Sequence, residues 1–193
     1  MTSNPTKIKI GDKIYNINTS FKVALRCNEI ALDETIDDYE RGMAIIYLLY
    51  GEEGLNDEEN YGKLLKMAQK YFSMNKEDAE LCTNEPDMDY IQDWDFIKAS
   101  FMSDYHIDLD KQDLHWWEFF NLLNGLSNSE MGNCCILNRI RNLRRMDTSK
   151  IKDLKTREEI NKQKRLFALK RKEHKPNDKQ KESSDNFYKS IGL

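Results

Sequence analysis

His106 and His115 stand among Asp104, Asp108, Asp110 and Asp113, residue types that could hold a divalent metal through imidazole nitrogens and carboxylate oxygens. Their spacing speaks against it. There is no H-E-x-x-H pair to put two imidazoles on one helix face. Asp87, Asp89, Asp93 and Asp95 could mimic part of a calcium loop, but Gln92 falls where that loop needs glycine and Lys98 where it needs a bidentate glutamate. The acids are read instead as helix caps and a solvated loop. Cys134 and Cys135 are a second candidate. Adjacent thiols point in different directions on a helix, and no C-x-x-C spacing links Cys27, Cys82, Cys134 and Cys135, so they read as reduced, buried small side chains. The chain has no G-x-S-x-G, G-x-G-x-x-G or P-loop sequence to expose a nucleophile or cradle a phosphate. Neither an enzyme, a metal nor a cofactor is implied.

What remains is surface for other macromolecules. Trp116 belongs to an apolar helical stripe, whereas Trp117 lies about 100° round the helix and either fills a second packed face or marks an interaction surface. The formal charge of −4 hides a split: residues 1–130 hold 26 Asp and Glu against 12 Lys and Arg, and residues 131–193 hold 8 against 18. The basic end therefore neutralises an acidic body, its own or a sister chain's, or is offered to an anionic partner. Its candidate partner-binding residues are Arg144, Arg145, Lys150, Lys152, Lys155, Arg157, Lys164 and Arg165, together with Trp117. Interleaved aromatics, zinc-finger spacing and a helix-turn-helix pair are lacking, so a dock for protein is favoured over nucleic acid.

The elements that must position these residues are mostly helical. With 33% charged and 39% hydrophobic residues, the core has to be concentrated. Lys7–Ile10 and Lys13–Ile17 flank Gly11-Asp12 and predict a tight hairpin. Ser20 caps a helix from Phe21 to about Leu32. A second helix is expected from Thr35 to Tyr50, stopping at Gly51, with its apolar half from Met43 enclosed on all sides. Residues 52–59 read as a loop, 61–74 as a helix, and 76–90 as a short helix and an extended connection. Helices over 90–105 and 113–124 carry Ile91, Trp94, Ile97, Phe101 and Trp116, Phe119, Phe120, Leu123 on single faces, and together with the 43–50 segment they are expected to form the core. A helix from about Ser129 to Arg145, a linker at 147–149 and a charged helix over 152–173 follow.

The expected architecture is mainly α: a compact helical domain over 1–145 with a small N-terminal β-hairpin, a basic helical extension over 146–173, and a disordered tail over 174–193. The longest apolar run, Met43 to Tyr50, is far short of the roughly 20 residues of a membrane helix. No membrane contact is expected, and with no charged-then-apolar leader the host cytoplasm is the expected location.

Several blocks resemble a known family. They are Asp95-Phe96-Ile97 with Ala99-Ser100-Phe101, Asp104-Tyr105 with Ile107-Asp108-Leu109, Leu114-His115-Trp116-Trp117 with Phe119, Leu122-Leu123-Asn124-Gly125-Leu126, and Asp147 with Ser149-Lys150-Ile151-Lys152-Asp153. With the hairpin and its Phe-led helix they resemble the bacteriophage "gene product fifteen" family of tail-module proteins over about residues 6–170. The resemblance implies a tail assembly chaperone, encoded beside the tape-measure gene, that keeps the tape-measure protein soluble and recruits tail-tube protein. A connector retained in the virion, self-associating head to tail as a homo-oligomer, and a DNA-binding accessory factor are the alternatives.

Overall fold

The computed structural model describes residues 4–74, 86–128 and 134–170. Among them the fold is mainly helical with one two-stranded hairpin, the fold class expected. The short helix expected after residue 76, the start of the helix after Ser129 and the tail over 174–193 lie outside the described residues. The chain divides into two compact units, the first holding described residues 4–74 and 113–119, the second 86–112, 120–128 and 134–170.

In the first unit, β1 (Lys7–Ile10) and β2 (Lys13–Asn16) pair antiparallel with Ile8 opposite Tyr15. Gly11 takes the positive φ that the tight turn demands. The two-residue alternation of a strand buries Ile8, Ile10 and Tyr15 and leaves Ile14 exposed. Helix α1 (Phe21–Ala31) begins where the Ser20 hydroxyl accepts from the Lys22 N–H.

Helix α2 (Asp38–Leu55) runs across a break at Gly51. Asp37, in the acidic run after Thr35, caps it in a reciprocal capping box with Glu40. Its first, regular segment does end at Gly51, as expected. At φ 68° and ψ −159° this residue adopts a backbone conformation that is essentially glycine's alone, so the helix kinks and resumes as far as Leu55. The expected loop shrinks accordingly to a short connection containing the single 3-10 turn Glu58–Asn60. Helix α3 (Tyr61–Phe72) follows. Within this unit α2 packs on α1, α3 and β2. Its apolar half is less enclosed than expected, because Tyr47 is 51% exposed while Ile46, Leu49 and Tyr50 are buried; a tyrosine tolerates this because its hydroxyl end can face water.

Segment 113–116 completes the unit. Thr19 C=O accepts from Trp116 N–H at 2.7 Å, and Leu114 C=O accepts from Phe21 N–H at 2.9 Å. These bonds start α5 (Trp116–Gly125) beside α1, and the Phe119 ring stacks on Phe21 with centroids 4.7 Å apart. Full burial of such rings contributes about 1.5–3 kcal/mol each.

The second unit contains α4 (Trp94–Tyr105), the rest of α5, α6 (Ile136–Arg145), a 3-10 turn at Thr148–Lys150 and α7 (Leu154–Leu166). Ile97, Phe101, Leu109, Leu123, Leu126, Leu137 and Ile140 are its buried apolar residues. Helix α4 starts later than the apolar spacing suggests. The Asp89 carboxylate accepts from the N–H groups of Ile91 and Gln92, which holds residues 89–93 in a turn and leaves Ile91 exposed. Helix α7 is shorter than expected at both ends: Asp153 caps its start by accepting from Thr156 N–H at 2.8 Å, and the chain leaves the helix at Phe167. No helix among the described residues is long and apolar enough to cross a membrane.

Candidate protein-binding surface

Five charged groups, before the start of α4 and at the end of α6, pair with one another in the second unit. Arg144, in the last turn of α6, donates from Nη1 and Nη2 to the two carboxylate oxygens of Asp93, each at 2.7 Å. It also donates from Nη1 to Asp87 C=O at 2.8 Å and from Nε to Phe167 C=O at 2.7 Å. Planar guanidinium geometry matches a carboxylate in this way, with a second edge left for carbonyls. Arg141 reaches Asp87 at 3.1 Å, and Arg145 pairs with the same carboxylate. One arm of the basic end therefore neutralises acids of its own chain.

Arg144 and Arg141 are spent on this packing. Lys164 donates to Met146 C=O, which ties α7 to the end of α6, whereas Arg165 donates to Asn161 C=O within α7 itself. Lys150 lies 3.7 Å from Asp147 but is exposed. Arg157 is half-buried on α7. Lys152 and Lys155, with Lys162, are exposed and make no ion pair among the described residues. Leu154 and Leu166 lie exposed at the two ends of the same helix. A helix that offers cations and terminal leucines to solvent is suited to a partner surface that is acidic and partly apolar.

Trp117 belongs to the first unit. Its Nε1 donates to Tyr71 C=O at 2.9 Å, and its ring stacks on Tyr71 at 6.1 Å and 26°. Both contacts hold the indole on α3, half-buried. The Tyr71 hydroxyl is buried, and burial pushes its ionisation well above the ordinary range.

The residues that suggested metal chemistry are each engaged elsewhere. His115 Nδ1 accepts from Trp117 N–H at 3.0 Å while Nε2 lies 3.0 Å from Pro5 C=O, so the imidazole caps the start of α5 with the proton on Nε2. His106 belongs to the other unit, exposed, in the left-handed conformation that ends α4. Asp104 accepts from Ser127 N–H at 2.7 Å, and Asp108 pairs with Lys111. Among the described residues no three His, Cys, Asp or Glu side chains are grouped to hold a metal ion. Cys27 is buried, and desolvation pushes its thiol up to about 12. Cys135 is buried as the cap of α6, where its sulfur accepts from Asn138 N–H, while Cys134 beside it is half-buried.

Residues 2–169 match the family described as Bacteriophage Gp15 protein. The chain belongs to the bacteriophage Gp15 family. Membership marks it as a phage protein of structure or morphogenesis, and the match takes in both compact units, with the exposed cations of α7 inside it. No curated protein and no solved structure matches this Gp15 family member.

Two arrangements went unseen in the sequence. One is the Asp57 carboxylate, which joins Lys13, Tyr15 and Asn60. The other is Gln92, whose amide takes both backbone bonds of Lys170. A faint signal existed for the Arg144 pair, since an acidic run at 87–95 faces a basic one at 139–145.

Proposed function

We propose that this protein works without catalysis, as a tail assembly chaperone-like protein that binds tape-measure or tail-tube subunits while a phage tail is being built. The observation that carries the reading is α7: a helix of 13 residues with no buried residue, which with Lys152 just before it presents Lys155, Lys162, Leu154 and Leu166 within a phage morphogenesis family. Packing among the described residues leaves that face unused. Half-exposed Tyr39 and Tyr47 on α2 add amphipathic contact surface of the kind that protein interfaces favour.

Co-expression with the tape-measure protein of the same phage tests this directly. The expected result is a co-purifying complex and more soluble tape-measure protein, with this chain absent from finished particles by mass spectrometry. A tape-measure protein that is neither bound nor kept soluble sinks the reading, and stoichiometric presence in particles would favour a connector retained in the virion.

A further inference from the structure

Past Leu166 the chain runs beside the start of α4, and four contacts hold it there. Phe167 C=O accepts from Arg144 Nε at 2.7 Å. The Phe167 ring meets Phe96 edge to face, with centroids 6.0 Å apart. Lys170 N–H donates to Gln92 Oε1 at 2.7 Å, and Lys170 C=O accepts from Gln92 Nε2 at 3.2 Å. A side-chain amide that satisfies both backbone groups of one residue recognises main chain, as a sheet edge does in an added strand. The aromatic contact three residues earlier supplies register. This is receptor and ligand chemistry inside one chain.

The ligand half is lightly held elsewhere. Helix α7, which leads into it, buries no residue and rests mainly on α6 and the turn before it. The two halves are also complementary in charge. Residues 150–170 carry eight Lys and Arg against three Asp and Glu, while residues 87–95 carry Asp87, Asp89, Asp93 and Asp95 and no base.

We propose that Gln92, Phe96 and Arg144 form a peptide-binding site, filled in cis by Phe167–Lys170, that accepts the same segment from a second copy of this chain. With α7 carried along, every contact made in cis is remade in trans, so exchange trades the effective concentration of the tethered arm against that of the neighbouring copy. Exchange therefore increases wherever copies are crowded. The proposal does not depend on the tail-assembly reading and holds for whichever protein the chain serves.

Complementation between two full-length variants tests it. The first, Gln92→Ala with Phe96→Ala, keeps the arm and loses the site; the second, Phe167→Ala with Lys170→Pro, keeps the site and loses the arm. All four positions are exposed or half-buried, and circular dichroism checks that both variants stay folded. Sedimentation at raised salt is expected to show a one-to-one heterodimer in the mixture and none in either variant alone. A labelled peptide of residues 161–170 is expected to bind the arm-deficient variant at least about tenfold more tightly than the site-deficient one, as the loss of two hydrogen bonds implies. A scrambled peptide of equal charge should show no such preference. If Phe96→Ala disturbs α4, Gln92→Ala alone replaces the site variant in both measurements. A mixture that sediments as its separate components, or a peptide that does not distinguish the variants, overturns the proposal.

Discussion

Arg144 grips Asp93 with two parallel hydrogen bonds of 2.7 Å, at a point where the aspartate side chain is 1% exposed and the arginine 11%. The pair joins the end of α6 to the turn before α4, and neither partner can easily find water if the other is lost. Arg144→Ala is expected to cost about 3–5 kcal/mol, because it strands a buried carboxylate. Arg144→Lys should recover only part of the loss, since an ammonium cannot reproduce the fork. The double variant Arg144→Ala, Asp93→Ala should lose less than the two single losses added together. Urea unfolding of the four proteins checks this, and a loss below about 1 kcal/mol for Arg144→Ala would show that apolar packing carries the joint.

Asp57 does a comparable task in the first unit. Lys13 chiefly, then Tyr15 and Asn60, hold its carboxyl at about 2, below the ordinary 3.8. A folded-state value lowered in this way contributes stability that is fully present above the unfolded value and is lost as pH falls through the folded one. Thermal melts of the wild type should therefore lose stability between about pH 4 and pH 2, and Asp57→Asn should flatten that part of the profile while lowering the plateau above it. Equal slopes in the two proteins over this range would exclude Asp57 as the group responsible.

Gly51 separates the conformational from the steric role of a glycine. A Cβ built there meets nothing within 4 Å, yet its φ is +68°, so Gly51→Ala should destabilise by about 1–3 kcal/mol through backbone strain alone. Chemical denaturation measures it. At Gly54 the reason is the opposite one, since a Cβ would approach the Tyr50 Cβ to 2.6 Å.

These positions also show what the sequence could and could not disclose. Ser20, Gly11-Asp12 and the Leu64/Ala68 spacing act within one turn of the chain, and the elements they announce are present. Gly51 carries the usual signal of a helix end and the break is there, but the helical segment that resumes beyond it to Leu55 left no mark in the local pattern, which reads as a loop. Trp117 is fixed by the backbone carbonyl of Tyr71, 46 residues away, and a carbonyl leaves no mark in a sequence. Basic residues read as one surface divide for the same reason: Arg144 and Arg141 meet acids more than fifty positions earlier, whereas Lys152, Lys155 and Lys162 meet none among the described residues.

That division makes the last prediction specific. Lys155 and Lys162 on α7, and Lys152 just before it, are exposed cations, so replacing all three by glutamate should leave the unfolding free energy within about 0.5 kcal/mol per substitution, as is usual at open surface positions. The same triple change reverses the charge presented to an acidic partner. If α7 is the docking face, tape-measure protein co-purifying with the variant should fall at least about tenfold, equivalent to some 1.4 kcal/mol, with the largest loss at low salt, where exposed charges are least screened. Arg144→Ala is the informative control, because it should lower stability without removing the exposed cations. A triple variant that binds like the wild type would transfer the search to the exposed Tyr39 and Tyr47 of α2.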